Sequence, residues 1–161
     1  MSQIKNKVIL ILILLFSIFA ILAAYFIQYI LGHQPCNLCL VERMPYIFSI
    51  IIISIYLFTY KFEKNVLITL SLIFFIATLL SLYHFGIERG FIKESLVCDL
   101  NITDKELSKE AILNQLKEMP VSCKNVTFKI FGLSLATFNI FISLIISGIT
   151  ANKFLNYEKN K

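Results

Sequence analysis

The run VILILILLFSIFAILAAYFIQYIL, Val8 to Leu31, holds 24 residues without a charge. A helix rises 1.5 Å per residue, so about 20 residues cross the roughly 30 Å of hydrocarbon in a bilayer, and this run is long enough to span it. Val66 to Ile87 and Ile130 to Ala151 are two further uncharged runs of 22 residues each. Met44 to Tyr60 offers 17 residues, at the lower limit, and Leu38, Leu40 and Val41 extend its apolar character upstream if Arg43 sits at the interface. With 58% hydrophobic and 16% charged residues, a chain of 161 residues cannot dress itself as a small soluble globule. The expected fold is an all-α integral membrane protein, a four-transmembrane-helix bundle forming a single domain over 1–161. Its spans are expected at about 8–31, 44–60, 66–87 and 130–151, with polar loops at about 32–43 and 88–129. Lys5 and Lys7 precede the first run as in a signal peptide, but the run exceeds the usual ~7 to 15 apolar residues and continues past Ala23-Ala24. It is read as a retained span.

Orientation follows from the short polar stretches. Lys5 and Lys7, Lys61 and Lys64, and Lys153, Lys159 and Lys161 all fall on one side of a four-helix topology, which makes both termini cytoplasmic. The other side receives 32–43 and 88–129, and from Glu88 to Lys129 seven Lys/Arg are balanced by seven Asp/Glu. All four cysteines then face outward, where an oxidising compartment lets disulfides persist. The second loop carries a helix signal of its own. Thr103 and Glu106 have capping-box spacing, Pro120 stops the helical pattern, and Ile112, Leu113, Leu116 and Met119 share one face. A short amphipathic helix is expected there, lying at the headgroup level or covering the end of the bundle. Asn101-Ile102-Thr103, preceded by Asp99, and Asn125-Val126-Thr127 are glycosylation sequons.

Cys36 and Cys39 lie in Gln34-Pro35-Cys36-Asn37-Leu38-Cys39-Leu40-Val41-Glu42-Arg43, between two spans and so at the membrane edge. A disulfide closed over two residues adds little chain constraint, and such pairs serve exchange chemistry more often than stability. Four cysteines allow three connectivities. Proximity favours Cys36 with Cys39 and Cys98 with Cys123. The second pair would enclose 24 residues, a loop that restrains the unfolded chain by ~3.5 kcal/mol on the entropy model, and so also reads as a plain staple. No metal is expected, because Cys98 and Cys123 lack knuckle spacing.

Electrons leaving a dithiol need an acceptor. The five glycines form no dinucleotide-binding loop, and Leu40 follows Cys39 where a haem-attachment motif needs His. A carrier dissolved in the bilayer, a quinone, fits the location, and no nucleic-acid partner is expected. Arg43, four residues after Cys39, falls on the same helical face and favours a thiolate there. A helix beginning near Cys39 would act in the same sense through its dipole, but Pro45 also allows a start at Met44. His84, in the last turn of the third span, is expected at the depth of Cys39 and Arg43, either bonded to a quinone carbonyl or packed against a neighbouring helix. His33 reads as a surface residue.

At these residues the chain resembles the DsbB family of disulfide-forming membrane oxidoreductases. The resemblance rests on Pro35-Cys36-x-Leu38-Cys39-x-x-Glu42-Arg43, Tyr83-His84-x-Gly86-x-Glu88, Cys98-Asp99, Cys123 and Phe131-Gly132-Leu133-Ser134, set among four spans. It implies a protein of the bacterial inner membrane that reoxidises a DsbA-like periplasmic oxidant of thioredoxin fold and passes two electrons to ubiquinone or menaquinone. It further implies that the partner's thiolate attacks Cys98, that Cys123 completes the shuttle disulfide, and that Cys36 exchanges with Cys123. Cys39 would then face the quinone as a thiolate supported by Arg43. A vitamin K epoxide reductase-like enzyme would carry its active CxxC near the last helices, and a tetraspanin-type scaffold would carry structural disulfides only.

Overall fold

The computed structural model describes residues 2–93, 123, 129–130 and 133–159. The second-loop helix, Cys98, the Asn101 and Asn125 sequons and Phe131-Gly132 lie outside the described residues.

Among the described residues, four helical segments are long and apolar enough to cross a membrane: Asn6–Tyr29, Asn37–Thr59, Glu63–Glu88 and Leu135–Tyr157. The first lies in α1 (Ser2–Tyr29). The second is broken into α2 (Asn37–Val41) and α3 (Met44–Thr59). The third is α4 (Glu63–Glu88) and the fourth lies in α5 (Leu135–Lys159). The break between α2 and α3 follows from Pro45, which has no amide hydrogen for the Val41 carbonyl four residues back and clashes with it. Both alternatives for the second helix are therefore realised in part, one short helix ahead of the break and one long helix after it.

The fourth span begins five residues later than the apolar run at Ile130. Lys129–Ile130 (β1) and Leu133–Ser134 (β2) form an antiparallel pair, with Lys129 opposite Ser134 and Ile130 opposite Leu133. Ser134 then caps α5, its Oγ accepting from the Thr137 amide at 3.3 Å, which satisfies one of the four orphan amides of the first turn. At the end of α4, Gly90 takes φ +75°. The Gly90 and Phe91 amides bond back to the carbonyls of Ile87 and Gly86, both at 2.9 Å, the paired closure of a Schellman stop. It folds Ile92 onto Gly86, where an added Cβ would meet Ile92 Cδ1 at 2.7 Å. Gly86 therefore fixes the turn after the helix end that carries His84.

The helices turn large apolar side chains outward, among them Phe19, Leu22, Phe58, Ile76, Phe141 and Ile145, as a lipid-facing surface requires. Inside, Leu10, Ile13, Tyr46, Ile53, Tyr56, Leu67, Leu70, Phe74 and Ile146 form the main core. Small polar residues join helix to helix around it. Ser17 Oγ lies 2.9 Å from Ser49 Oγ between α1 and α3, while Ser71 and Ser147 each bond the other's carbonyl between α4 and α5. In lipid, close approach through small residues does much of the work that hydrophobic burial does in water.

Candidate functional site

Cys36 is the N-cap of α2. Its backbone is extended (φ −73°, ψ 167°), and its Sγ accepts from the Cys39 amide at 3.4 Å. A spacing of three residues across the first turn of a helix stacks the two side chains, and the sulfurs stand 2.9 Å apart with Cys36 donating to Cys39. Cys36 is buried and Cys39 half-buried. Leu38, between them, is 2% exposed and fastens α2 into a second cluster with Cys36, Ile87 and Cys123. Cys39, Leu80 and Tyr83 pack against that cluster. Three of the four cysteines thus meet at one end of the bundle. Cys98 lies outside the described residues.

The break after α2 points two adjacent side chains in opposite directions. Glu42 turns inward and is buried. Its Oε1 accepts from His84 Nδ1 at 2.9 Å and its Oε2 from Asn139 Nδ2 at 3.2 Å. Arg43 turns toward α1, donating to Gln28 Oε1 at 2.7 Å with its guanidinium over the Tyr25 ring at 5.4 Å. The described contacts of its side chain are with α1 and do not include Cys39.

His84 lies closer to the thiols than its position in the third span foretold. It is 2% exposed, its Nε2 is 3.6 Å from Cys36 Sγ, and Glu88 Oε1 is 3.7 Å from the same nitrogen. Both ring nitrogens are engaged inside the protein, so the ring belongs to the thiol site and not to a lipid-facing surface. Behind it the network continues. Asn139 Nδ2 also donates to Ser81 Oγ at 2.8 Å, and Asn139 Oδ1 accepts from Tyr46 and Ser143. Among the described residues no buried side-chain nitrogen or oxygen lacks a partner, as the cost of an unpaired polar group in a low dielectric demands.

The surroundings of Cys36 favour its thiol form. The hydrogen bond to Cys39, reinforced by burial, pushes the Cys36 thiol from 9.0 up to about 12, against the opposing pull of His84. Cys36 therefore holds its proton at neutral pH. Cys36 Sγ, Cys39 Sγ and a His84 ring nitrogen lie within 4.8 Å of one another, a donor set suited to a soft cation such as zinc. Such an ion would occupy the very thiols that exchange needs.

Glu42 and Asn139 had no role assigned from the sequence. Asn139 carries a signal all the same: a carboxamide inside an otherwise apolar helix is expensive there, and so marks a functional site, whereas Glu42 sits in the break beside Arg43 and offers no such contrast.

Comparison with known proteins places this arrangement in context. The family model for disulfide bond formation protein DsbB matches residues 6–152. An uncharacterized protein of Rickettsia prowazekii (strain Madrid E) is 31% identical over 142 residues, covering 87% of this chain and 83% of its own length. No solved structure matches.

Proposed function

The chain belongs to the DsbB family of disulfide bond formation proteins, multi-pass membrane proteins of bacteria, and from that premise we propose that it reoxidises a periplasmic DsbA-like dithiol and passes two electrons to a membrane quinone. The observation that carries this reading is the meeting of Cys36, Cys39 and Cys123 at one end of a four-span bundle. Cys98 presents an electrophilic sulfur to the partner's thiolate, and Cys123 leaves as the mixed disulfide forms. The second partner thiol then releases the partner as a disulfide, with Cys98 and Cys123 reduced. Exchange with the Cys36–Cys39 disulfide through Cys123 and Cys36 moves the electron pair to the membrane edge. Cys39, half-buried, is the sulfur from which the electrons leave.

The surface beside Cys39 suits an apolar ring with polar oxygens. Leu40, Val41 and Met44 are exposed, at the level of the break, and offer a greasy face. Arg43, anchored by Gln28 and Tyr25, supplies guanidinium N–H groups at its border. These residues would hold ubiquinone or menaquinone, which supplies a two-electron, two-proton acceptor when bound. A fixed cation there favours negative charge as it develops. The orientation that puts the thiol end in the periplasm and both termini in the cytoplasm rests on the lysine distribution.

The direct test mixes the purified protein with a reduced DsbA-like partner and either quinone, following quinone absorbance and partner thiols together. One quinone reduced per partner disulfide formed supports the function. Partner oxidation that ignores quinone, or none at all, overturns it.

A further inference from the structure

We propose that His84, oriented by Glu42 and through it by Asn139, is the base that takes the Cys36 proton when the Cys36–Cys39 pair closes. The inference rests on the function proposed above and assigns a proton acceptor within it.

Closing the pair converts two thiols to one disulfide and releases two electrons and two protons. The electrons go to the two-electron oxidant, quinone in the membrane. The Cys39 proton leaves from a half-buried side chain. Cys36 is 6% exposed, and its described side-chain hydrogen-bond partners are Cys39 Sγ at 2.9 Å and His84 Nε2 at 3.6 Å. Once Cys39 is committed to the oxidant it is the atom Cys36 must attack, so of these two partners the imidazole remains to receive the proton. A hydrogen on Nδ1 satisfies Glu42 Oε1 at 2.9 Å and leaves the Nε2 lone pair toward Cys36. The imidazolium formed by the transfer is then held by the same carboxylate.

The carboxylate is in turn held from behind. Asn139 on α5 donates to Glu42 Oε2 at 3.2 Å and to Ser81 Oγ at 2.8 Å, while Tyr46 and Ser143 fix its oxygen. α3, α4 and α5 thus converge on the orientation of one carboxylate, and Asn139 is a positioning residue. Among the described residues, the titratable groups facing the ring are Glu42 from the α2–α3 break, Cys36 at the N-cap of α2, Cys39 from α2, and Glu88 of its own helix at 3.7 Å. Cys123 packs into the same cluster, and among the described residues α5 presents the neutral Asn139, backed by Ser143.

The test uses full-length protein in detergent, without quinone, carrying Cys98→Ser and Cys123→Ser so that a single pair can close. Diamide, which takes up two electrons and two protons, oxidises the reduced pair, and closure is followed by acid quench and mass from pH 5 to 9. His84→Gln keeps a hydrogen-bonding side chain of similar size but no base, and should slow closure about a hundredfold at neutral pH. Glu42→Gln is isosteric and should move the acid limb of the rate profile to lower pH while lowering its plateau. Asn139→Ala should slow closure about tenfold, the effect of one charge-assisted hydrogen bond. A shifted acid limb in Glu42→Gln supports the assignment even where His84→Gln fails to fold. Unchanged rates and an unchanged profile in folded His84→Gln or Glu42→Gln overturn it. A wild type that closes its pair normally with diamide but never reduces quinone would instead overturn the proposed function and leave this assignment standing.

Discussion

Arg43→Gln separates a chemical role for the guanidinium from an anchoring one. The Arg43 side chain makes two described contacts, a 2.7 Å hydrogen bond to Gln28 and a cation–π contact to Tyr25 at 5.4 Å. Interhelical hydrogen bonds within membranes average about 0.6 kcal/mol and reach about 1.7. A cation–π contact at a partly exposed site adds roughly 0.5 to 1. Removing both costs about 1 to 2.7 kcal/mol, below the roughly 5 to 15 kcal/mol that folded domains usually hold, so the bundle should stay folded. If the guanidinium also donates to a developing quinone oxyanion, losing that charge-assisted bond costs a further ~1.5 to 3 kcal/mol in the transition state, one to two orders of magnitude in rate. The assay is turnover against quinone concentration, run beside thermal unfolding and partner exchange without quinone. Arg43→Lys, which keeps charge but loses the planar fork, should fall between wild type and Gln. A Gln variant that keeps full quinone dependence, or loses activity only in step with unfolding, would rule out the chemical role and leave Arg43 an interfacial anchor.

The same geometry sets the reactivity of the cysteines. In a Cys98→Ser, Cys123→Ser background, iodoacetamide should label Cys36 slowly until pH nears about 12, and Cys39→Ala, by removing the largest cause, should bring the onset toward 9.0. The linked effect on folding has a definite sign: the raised folded value gives stability present below 9.0 and lost as pH climbs to about 12, because the unfolded chain there binds fewer protons. Chemical unfolding across that window should show the loss. Cys98→Ser should leave the bundle inserted but abolish turnover with the partner, and Cys123→Ser should accumulate a mixed disulfide between Cys98 and the partner, visible on a non-reducing gel. In a cysteine-free protein in intact cells, an impermeant maleimide should label Lys105→Cys and spare Lys61→Cys; the reverse pattern would invert the orientation.

Charge-free length made the four spans legible, since in lipid every backbone group must be bonded within the segment and few structures satisfy that. The ends of the spans were less legible, because they depend on local chemistry that hydropathy averages away. Pro45 breaks the second span into α2 and α3, and Ser134 delays the fourth by capping it at Leu135. The CxxC could be read directly, and its helical spacing accounts for the sulfur contact. What the sequence concealed is long-range pairing. Glu42 and Arg43 are neighbours in the chain, yet one binds His84 and Asn139 while the other binds Gln28. That division arises from the two-residue break, which no periodicity reports. His84 was visible as an intramembrane histidine, but its contact with Cys36 needs α4 packed behind α2, and Asn139 takes part only because α5 packs on α4.

If the two cysteine pairs form one electron path at a single end of the bundle, Cys36 and Cys123 must be able to join directly. A chain keeping only these two thiols, with Cys39→Ser and Cys98→Ser, can be oxidised mildly in membranes and mapped by peptide mass under non-reducing conditions. Because Cys36 and Cys123 share one buried cluster with Leu38 and Ile87, a Cys36–Cys123 disulfide should form within each chain in high yield and open with dithiothreitol. Two thiols that stay reduced, or that cross-link only between chains, would contradict a shared electron path.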